Sequence, residues 1–239
     1  MTQPAPVAII TGAGRGIGRA TAVELAGLGY RLALAARDPD SLHQTVSALG
    51  GNPERAFVVS TDVTDPQQVD RLVGQTLERF GRIDAVVNNA GFAPVRLIPD
   101  MSVAEWRAVI DTNLSAAFYL CRAAWPAFER QGGGVVVNVS SAAARDPFPG
   151  FAAYGAAKAG LNLFGLSAAR EGERIGVRVH TIAPGATETD MFRSLPGMDR
   201  YPADKTLGPA EVARIIGRCV TGDLRYTSGE VIYVHKTMA

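Results

Sequence analysis

Cysteine, histidine and net charge are all scarce in this chain, and each scarcity excludes a class of protein. Cys121 and Cys219 lie far apart without metal-ligand spacing, which predicts reduced thiols rather than a disulfide framework. His43, His180 and His235 show no spacing typical of metal ligands or of an activated nucleophile, so we expect no metal site. The net charge of only +1 gives no reason to expect nucleic acid or an anionic membrane as a partner.

Long apolar runs are absent as well. No stretch approaches the roughly 20 apolar residues that span a bilayer, and the start "MTQPAPVAIITGAG" lacks the basic region of a signal peptide. We therefore expect a cytoplasmic protein. The 239 residues contain no linker, repeat or low-complexity tract, which predicts a single domain over residues 1–239.

Short apolar runs alternate with longer segments of helical period. "VAIIT" (7–11), "RLALAA" (31–36) and "GGVVVNVSS" (133–141) are typical of buried strands. Such strands separated by helices predict an α/β fold with a doubly wound parallel sheet, a Rossmann fold, of about seven strands. The same periodicity predicts one long helix over about 102–130. It also predicts that the first helix turns a stripe inward, formed by Ile17, Ala20, Val23, Leu25 and Leu28.

A glycine-rich turn, "TGAGRGIG" (11–18), joins the first strand to the first helix. Gly12 permits the tight turn, Gly16 lets the backbone approach a pyrophosphate, and Gly18 lets the helix pack close to the strand. A phosphate there meets free N–H groups and the positive end of the helix dipole. Any tight strand–helix turn can use glycine, but this position in an alternating pattern favours dinucleotide binding.

Tyr154 and Lys158 lie one helical turn apart in "FAAYGAAKAGLNLFG", among residues that are otherwise mostly Ala and Gly. An ammonium beside a phenol favours phenolate, so we expect Lys158 to lower the pKa of Tyr154 from its usual value of about 10. Tyr154 is then a candidate acid–base. The alternative is a packed tyrosine and a solvated lysine.

Five motifs together carry a family resemblance: the glycine turn, "NNAG" (88–91), "NVSS" (138–141), "YGAAK" (154–158) and "PGATETDM" (184–191). In order and spacing they resemble the short-chain dehydrogenase/reductase family along essentially the whole chain. The residues of these motifs are especially similar to those of 3-oxoacyl-(acyl-carrier-protein) reductases. The resemblance implies a nicotinamide-dependent oxidoreductase acting on a small carbonyl or alcohol. It also implies a homodimer or homotetramer that associates through the helices at about 102–130 and 151–175.

The resemblance assigns a catalytic group of four residues. Ser141, thirteen residues before Tyr154, would orient the carbonyl, with Ser140 as the adjacent candidate. Lys158 would tune Tyr154 and hold the nicotinamide ribose, and Asn113 would hold a water that links Lys158 to solvent. The alternatives are a turn-capping serine and an ordinary polar residue in mid-helix.

Cofactor preference is predicted from the end of the second strand. Ala36 stands where NAD-preferring relatives carry Asp, and Arg37 follows it. Arg15 lies on the same side. Two guanidinium groups suit a 2′-phosphate, so we expect NADP(H) rather than NAD(H). The alternative is that Arg37 pairs with Asp38 or Asp40.

The remaining cofactor contacts follow from the resemblance. Asp62 and Val63 are expected beside the adenine, although Asp62 could instead cap a helix. The other expected contacts are Ile17 in the glycine turn, Asn88, Asn89, Ala90 and Gly91 at the ribose and sheet centre, and Pro184, Gly185, Thr187 and Thr189 at the nicotinamide carboxamide.

Taken together, these patterns predict an NADP(H)-dependent carbonyl reductase or alcohol dehydrogenase, working mainly toward reduction. The alternatives are a non-catalytic dinucleotide-binding sensor or scaffold and an extended-type sugar epimerase or dehydratase. The segment covering the substrate, at about 190–208, is short, which predicts a smaller or more open pocket. Phe148 and Phe151 favour an apolar substrate over a sugar. The tail "YVHKTMA" departs from the Asp-Gly-Gly that relatives carry.

Overall fold

Within residues 4–236, the part of the chain that the computed structural model describes, seven strands form one parallel sheet. Their order across the sheet is β3-β2-β1-β4-β5-β6-β7, and every neighbouring pair is parallel. The strands are β1 Val7–Thr11, β2 Arg31–Ala36, β3 Ala56–Ser60, β4 Ala85–Asn88, β5 Gly134–Val139, β6 Val177–Pro184 and β7 Val231–Val234. The predicted doubly wound sheet is confirmed, and the end of the tail, 237–239, lies outside the described residues.

Helices cover both faces of the sheet. They are α1 Gly16–Gly27, α2 Pro39–Ala48, α3 Pro66–Phe80, α4 Val103–Ile110, α5 Ala116–Gln131, α6 Ala152–Gly172, α7 Asp190–Arg193 and α8 Pro209–Thr221. Residues of α1, α2 and α8 bury apolar surface on one face, and residues of α3, α5 and α6 do so on the other. Successive strand residues alternate between the two cores, as Ile9 and Ile10 do.

The long helix predicted over about 102–130 is not a continuous α-helix. A π-helical turn, Asp111–Ser115, separates α4 from α5. The apolar period does not reveal this change, because the flanking segments continue the same run. A π-helical turn inside a helix often marks a functional position, and this one contains Asn113.

The inward stripe predicted for α1 is wrong at two of its positions. Val23 and Leu28 are 47% and 44% exposed, whereas Thr21, Ala22 and Leu25 are buried. The buried row consists largely of small residues that let α1 approach the sheet and α8. Because such residues contribute little hydrophobicity, a search for large apolar side chains includes two exposed positions, Val23 and Leu28, and omits Thr21 and Ala22.

The route of the chain fixes where a ligand can bind. From β1 the chain continues outward to β2 and β3, and it then returns to place β4 on the other side of β1. The connections on the two sides leave in opposite directions, which opens a crevice at the carboxyl ends of β1 and β4. The glycine turn and the "NNAG" motif both lie at this edge.

Several groups highlighted by the sequence are buried structural side chains. Cys121 and Cys219 are free thiols, and burial raises the pKa of each to about 12. His180 is fully buried in β6 with its Nδ1 3.1 Å from Thr227 Oγ1. Residues 4–236 contain neither a helix with the length and apolar character of a membrane span nor a cluster of metal-ligating side chains.

Helix–sheet contact through glycine gives a test of the fold. A Cβ at Gly165 in α6 would overlap Thr181 Oγ1 and lie 3.1 Å from Asn138 Nδ2 on the sheet. We expect Gly165→Ala to lower the free energy of unfolding by about 1–3 kcal/mol through overpacking. In the exposed middle of α3, Gly74 has nothing within 4 Å of a Cβ, so Gly74→Ala should add about 0.5–1 kcal/mol. Urea unfolding of both variants checks the prediction, and equal stabilities would contradict it.

Candidate active site

A cleft of about 1310 Å³ opens at the carboxyl edge of the sheet. The glycine turn, the ends of β2 and β4, the segment from Ser141 to Tyr154, and residues 184–201 border it. Most residues that the sequence assigned to cofactor or catalysis therefore lie around one cavity. Its size suits a dinucleotide together with a small substrate.

The glycine turn has the conformation that phosphate binding requires. Gly12 and Gly16 have φ angles of +64° and +54°, in the left-handed region. A Cβ at Gly18 would overlap the carbonyl oxygen of Gly12, so only glycine lets α1 start this close to β1. Arg15 occupies the N-cap of α1 without a side-chain capping bond in the described chain. The first amides of α1 are thus available to an anion.

Asn89 and Thr11 join the glycine turn to the end of β4. The Asn89 side-chain amide donates to the carbonyl oxygens of Thr11 at 2.9 Å and Gly12 at 3.2 Å. Thr11 Oγ1 accepts from the amides of Asn89 and Ala90 and donates to the carbonyl of Val87. Asn89, Ala90 and Gly91 border the cleft. Asn88 does not; it is buried and donates to Asn138 Oδ1 at 2.9 Å, so its role is in the sheet centre.

Arg19 is a supporting residue that sequence reasoning missed. Its guanidinium donates to the Gly14 carbonyl at 2.5 Å and to Thr45 Oγ1 at 3.2 Å. The Thr45 hydroxyl in turn donates to the carbonyl of Ala13 at 2.9 Å. These bonds fasten the glycine turn to α2. Nothing in the local pattern around Arg19 distinguishes it from a solvated helix arginine.

Arg15 and Arg37 both border the cleft, and both side chains are exposed. The alternative pairing of Arg37 with Asp38 or Asp40 is absent among the described ion pairs. Asp38 instead caps α2 by accepting from the Asp40 amide at 3.1 Å. Two guanidinium groups therefore face one end of the cleft, where Ala36 contributes no carboxylate.

Asp62 and Val63 lie at the same end of the cleft, after β3. Asp62 Oδ1 accepts from the amide and the hydroxyl of Thr64, at 2.9 and 2.8 Å. The alternative assignment of Asp62 as a helix cap is wrong, because Asp65 is the N-cap of α3. Asp62 shapes the loop that presents Val63.

The segment after β6 forms the opposite side of the cleft. The Gly185 amide donates to the Val234 carbonyl at 2.8 Å, and Thr187 Oγ1 donates to the Gly185 carbonyl at 3.0 Å. Thr189 caps α7, and a Cβ at Gly16 would lie 3.1 Å from its methyl group. This segment thus faces the glycine turn, with Pro184, Gly185, Thr187 and Thr189 all bordering the cleft.

Tyr154 and Lys158 lie on the buried face of α6. Lys158 Nζ donates to the Val139 carbonyl at 2.8 Å and lies 5.7 Å from the centre of the Tyr154 ring. Burial lowers the pKa of Lys158 to about 8 and raises the pKa of Tyr154 to about 12, although hydrogen bonding to Ser141 opposes the latter. The prediction that Lys158 lowers the pKa of Tyr154 is therefore wrong for the protein without a bound cofactor. Burial removes water from the phenol, and this loss of hydration raises its pKa more than neighbouring groups lower it. Tyr154 is a neutral phenol at pH 7.

The two neighbouring serines have different environments. Ser141 borders the cleft, and its Oγ accepts from the Ala143 amide at 3.1 Å. Ser140 is buried and donates to Asn162 Oδ1 at 2.5 Å and to the Lys158 carbonyl at 3.3 Å. Ser141 is thus available to a substrate while Ser140 ties β5 to α6. Both the catalytic and the turn-capping assignments of Ser141 fit this geometry.

Asn113 is buried in the π-helical turn. Its amide donates to the carbonyls of Phe92 at 2.9 Å and Val109 at 3.0 Å. Its Oδ1 has no hydrogen-bond partner among the described residues. A cavity of about 10 Å³, bordered by Asn113 and Lys158, lies beside it. That volume is close to what one water molecule needs.

The segment covering the cleft is held by Arg193. Its guanidinium pairs with Glu188 at 2.6 Å and donates to the carbonyls of Met198 at 2.6 Å and Tyr201 at 2.7 Å. Thr206 Oγ1 also donates to Glu188 at 3.1 Å. The Arg193 and Thr206 side chains thus tie this segment internally.

Known proteins resemble the chain along nearly its whole length. The family described as short chain dehydrogenase matches residues 6–199. A 3-oxoacyl-[acyl-carrier-protein] reductase of Synechocystis sp. is 38% identical over 89% of this chain and 87% of that protein. Another, of Escherichia coli, is 34% identical over 97% of this chain and 96% of that protein. The crystal structure of a levodione reductase aligns with a TM-score of 0.91 at 31% identity, covering 97% of this chain and 96% of the other.

The burial of Lys158 predicts a pH dependence of stability. Its pKa is about 8 when folded and about 10.5 ordinarily, so between these values the unfolded chain holds a proton that the folded protein has released. The free energy of unfolding of the wild type should therefore rise, relative to Lys158→Met, by about 2–3 kcal/mol between pH 8 and 10. Guanidinium unfolding across this range measures it. The exposed Lys205→Met variant serves as a control with no such change, and a flat difference for Lys158→Met would contradict the prediction.

Proposed function

Because the chain belongs to the short-chain dehydrogenase/reductase family and is an oxidoreductase of that family, we propose that it reduces a ketone or aldehyde carbonyl with NADPH. The observation that carries this proposal is the convergence of Ser141, Tyr154 and Lys158 on one cleft bordered by the glycine turn. A neutral phenol at pH 7 carries the proton that carbonyl reduction requires.

The residues present fit an NADP(H) molecule. The uncapped start of α1 and the left-handed glycines would hold the pyrophosphate, and Arg15 and Arg37 would hold the 2′-phosphate. Asp62 and Val63 would flank the adenine. Ile17, Asn89, Ala90, Gly91, Lys158, Pro184, Gly185, Thr187 and Thr189 complete the proposed contacts. When bound, the nicotinamide supplies the hydride.

Tyr154 is the proposed proton donor and Ser141 the orienting group. The hydroxyls of both would donate hydrogen bonds to the carbonyl oxygen of the substrate. As negative charge develops on that oxygen, the Tyr154 proton neutralises it. Ser141 is held by its turn and Tyr154 by the buried helix, so the two donors are positioned before substrate binds.

Lys158 and Asn113 would resupply the proton. Lys158 is an ammonium at pH 7 and would stabilise the phenolate formed on Tyr154. The unpartnered Oδ1 of Asn113 and the neighbouring small cavity could receive a water that connects Lys158 to the cleft. This arrangement favours a proton relay over the reading of Asn113 as an ordinary polar residue.

The named relatives bear on substrate class. Two of them are 3-oxoacyl-[acyl-carrier-protein] reductases, so reduction of a 3-oxoacyl thioester is included in the proposal. Retention of all four candidate catalytic residues argues against a non-catalytic sensor or scaffold. Cytoplasmic location and assembly into a homodimer or homotetramer stay predictions.

Replacing the proton donor tests the mechanism. We expect Tyr154→Phe to lower kcat at least 100-fold, since a positioned acid contributes about 10²–10⁴-fold. The dissociation constant for NADPH should change little, because the phenyl ring keeps its packing. Steady-state kinetics and fluorescence titration with NADPH measure the two quantities. Turnover near the wild-type rate would refute the proposed role of Tyr154.

Replacing one cleft guanidinium tests cofactor preference. Arg37→Gln should weaken NADPH binding about 10-fold or more and leave NADH binding nearly unchanged, because only NADPH carries the 2′-phosphate. Arg218→Gln, an exposed arginine on α8 away from the cleft, is the control. Equal losses for the two cofactors would contradict the assignment of Arg37.

A further inference from the structure

Three aromatic rings line one wall of the cleft in contact with each other. Phe151 packs edge-on against Tyr154, with ring centres 5.1 Å apart and planes at 60°. Phe148 stacks on Phe151, with ring centres 3.8 Å apart and planes at 30°. Phe151 is buried, whereas Phe148 borders the cleft and is 42% exposed. The row therefore runs outward from the proposed proton donor and ends in an accessible flat ring.

The backbone holds Phe148 in a fixed position. Pro147 and Pro149 flank it and restrict the chain on both sides. The Phe148 carbonyl accepts from the Phe151 amide at 3.0 Å. Gly150, at φ +92°, accepts from the Arg96 amide at 3.0 Å, and a Cβ there would lie 2.5 Å from a Val95 methyl group. An exposed phenylalanine on such a constrained loop is a preformed contact surface.

The cover segment brings apolar side chains to the same cleft. Met191, Phe192, Leu195, Met198 and Tyr201 border it. Arg193 fixes this segment through Glu188 and two carbonyls. Thioether and aromatic groups both contact flat rings favourably. Phe148, Tyr154 and these apolar cover residues therefore border the same cleft.

We infer that Phe148 selects substrates whose carbonyl carries a flat, apolar ring, which stacks on Phe148 while Tyr154 contacts the carbonyl oxygen. The inference rests on the proposed carbonyl reduction and narrows its substrate to aryl ketones and related planar carbonyl compounds. In this row only the Phe151 ring stands between Phe148 and Tyr154, so the inference favours a ring that is joined directly to the carbonyl or is a few bonds from it.

A pair of matched ketones tests this selection. Phenyl methyl ketone and cyclohexyl methyl ketone have the same number of carbon atoms, but only the first has a flat ring. The ratio of their kcat/KM values is compared between the wild type and each variant, so that differences in intrinsic reactivity cancel. We expect Phe148→Leu to lower the aryl-to-cyclohexyl ratio about three- to tenfold, the range that an aromatic pair contributes.

Two further variants separate stacking from a general disturbance. Phe148→Trp retains a flat ring and should keep the ratio near the wild-type value. Tyr226→Leu removes an aromatic side chain that is 92% exposed outside the cleft and should leave it unchanged. A ratio that Phe148→Leu does not alter would overturn the inference. So would 3-oxoacyl thioester reduction that exceeds reduction of both ketones and is insensitive to Phe148.

A binding measurement separates this inference from the proposed mechanism. Dissociation constants of both ketones are measured by isothermal titration with the NADP⁺ complex of Tyr154→Phe, with and without Phe148→Leu, because the oxidised cofactor cannot reduce them. Tighter binding of the aryl ketone that disappears in Phe148→Leu supports the inference. This result holds even if Tyr154→Phe turns over at the wild-type rate, which would refute the proposed mechanism. Equal dissociation constants for the two ketones overturn the inference. They do not bear on the role of Tyr154, which the steady-state kinetics of Tyr154→Phe test.

Discussion

The close approach of α1 to β1 is the contact on which the cofactor end of the cleft depends. No side chain can stand at Gly18, because its Cβ would overlap the Gly12 carbonyl and lie 2.5 Å from the Asn89 amide. That same amide donates to the Thr11 and Gly12 carbonyls. The absence of a side chain at Gly18 therefore lets α1 begin beside the cleft. It also leaves room for the Asn89 amide, which joins β1 to the end of β4. Replacement of Gly18 would disturb the anion site and the sheet together.

Burial shifts the pKa values of the proposed catalytic pair, Tyr154 and Lys158, in opposite directions. Loss of hydration raises the pKa of the Tyr154 phenol and lowers that of the Lys158 ammonium. The single carbonyl of Val139 holds Lys158 Nζ, and small residues around both side chains bring α6 close to the sheet. Among residues 4–236 this ammonium has no carboxylate partner, and a buried charge of that kind costs stability. The fold thus retains a destabilising group beside Tyr154, the proposed proton donor.

The sequence was sufficient to predict the sheet and most of the cleft, because both follow from local patterns. Alternating strands and helices imply the doubly wound order, and motifs after successive strands must meet at one edge. Residues whose roles depend on tertiary contacts were missed. Arg19 fastens the glycine turn to α2 from an ordinary helical position. Thr11 likewise acts through partners 78 and 79 residues away in the chain. Arg193 binds carbonyls of a nearby irregular loop whose path no spacing in the sequence reveals.

Three local predictions failed for identifiable physical reasons. Two positions of the α1 stripe, Val23 and Leu28, were misjudged because small residues provide much of the contact with the sheet. The π-helical turn was missed because the hydrophobic period runs through Asp111–Ser115 without interruption. The pKa of Tyr154 was expected to fall because helical spacing shows a neighbouring charge. That spacing does not show how completely water is excluded.

Arg193 also limits the conformational freedom of the cover segment. Its guanidinium joins Glu188 to the Met198 and Tyr201 carbonyls, and the Leu207 amide and carbonyl bond the Ala186 carbonyl and the Glu188 amide. Because these bonds are made within the chain, they limit how much order a ligand must impose on the segment. Ordering a flexible loop at the moment of association subtracts from affinity. A wall held by its own bonds reduces this entropic loss.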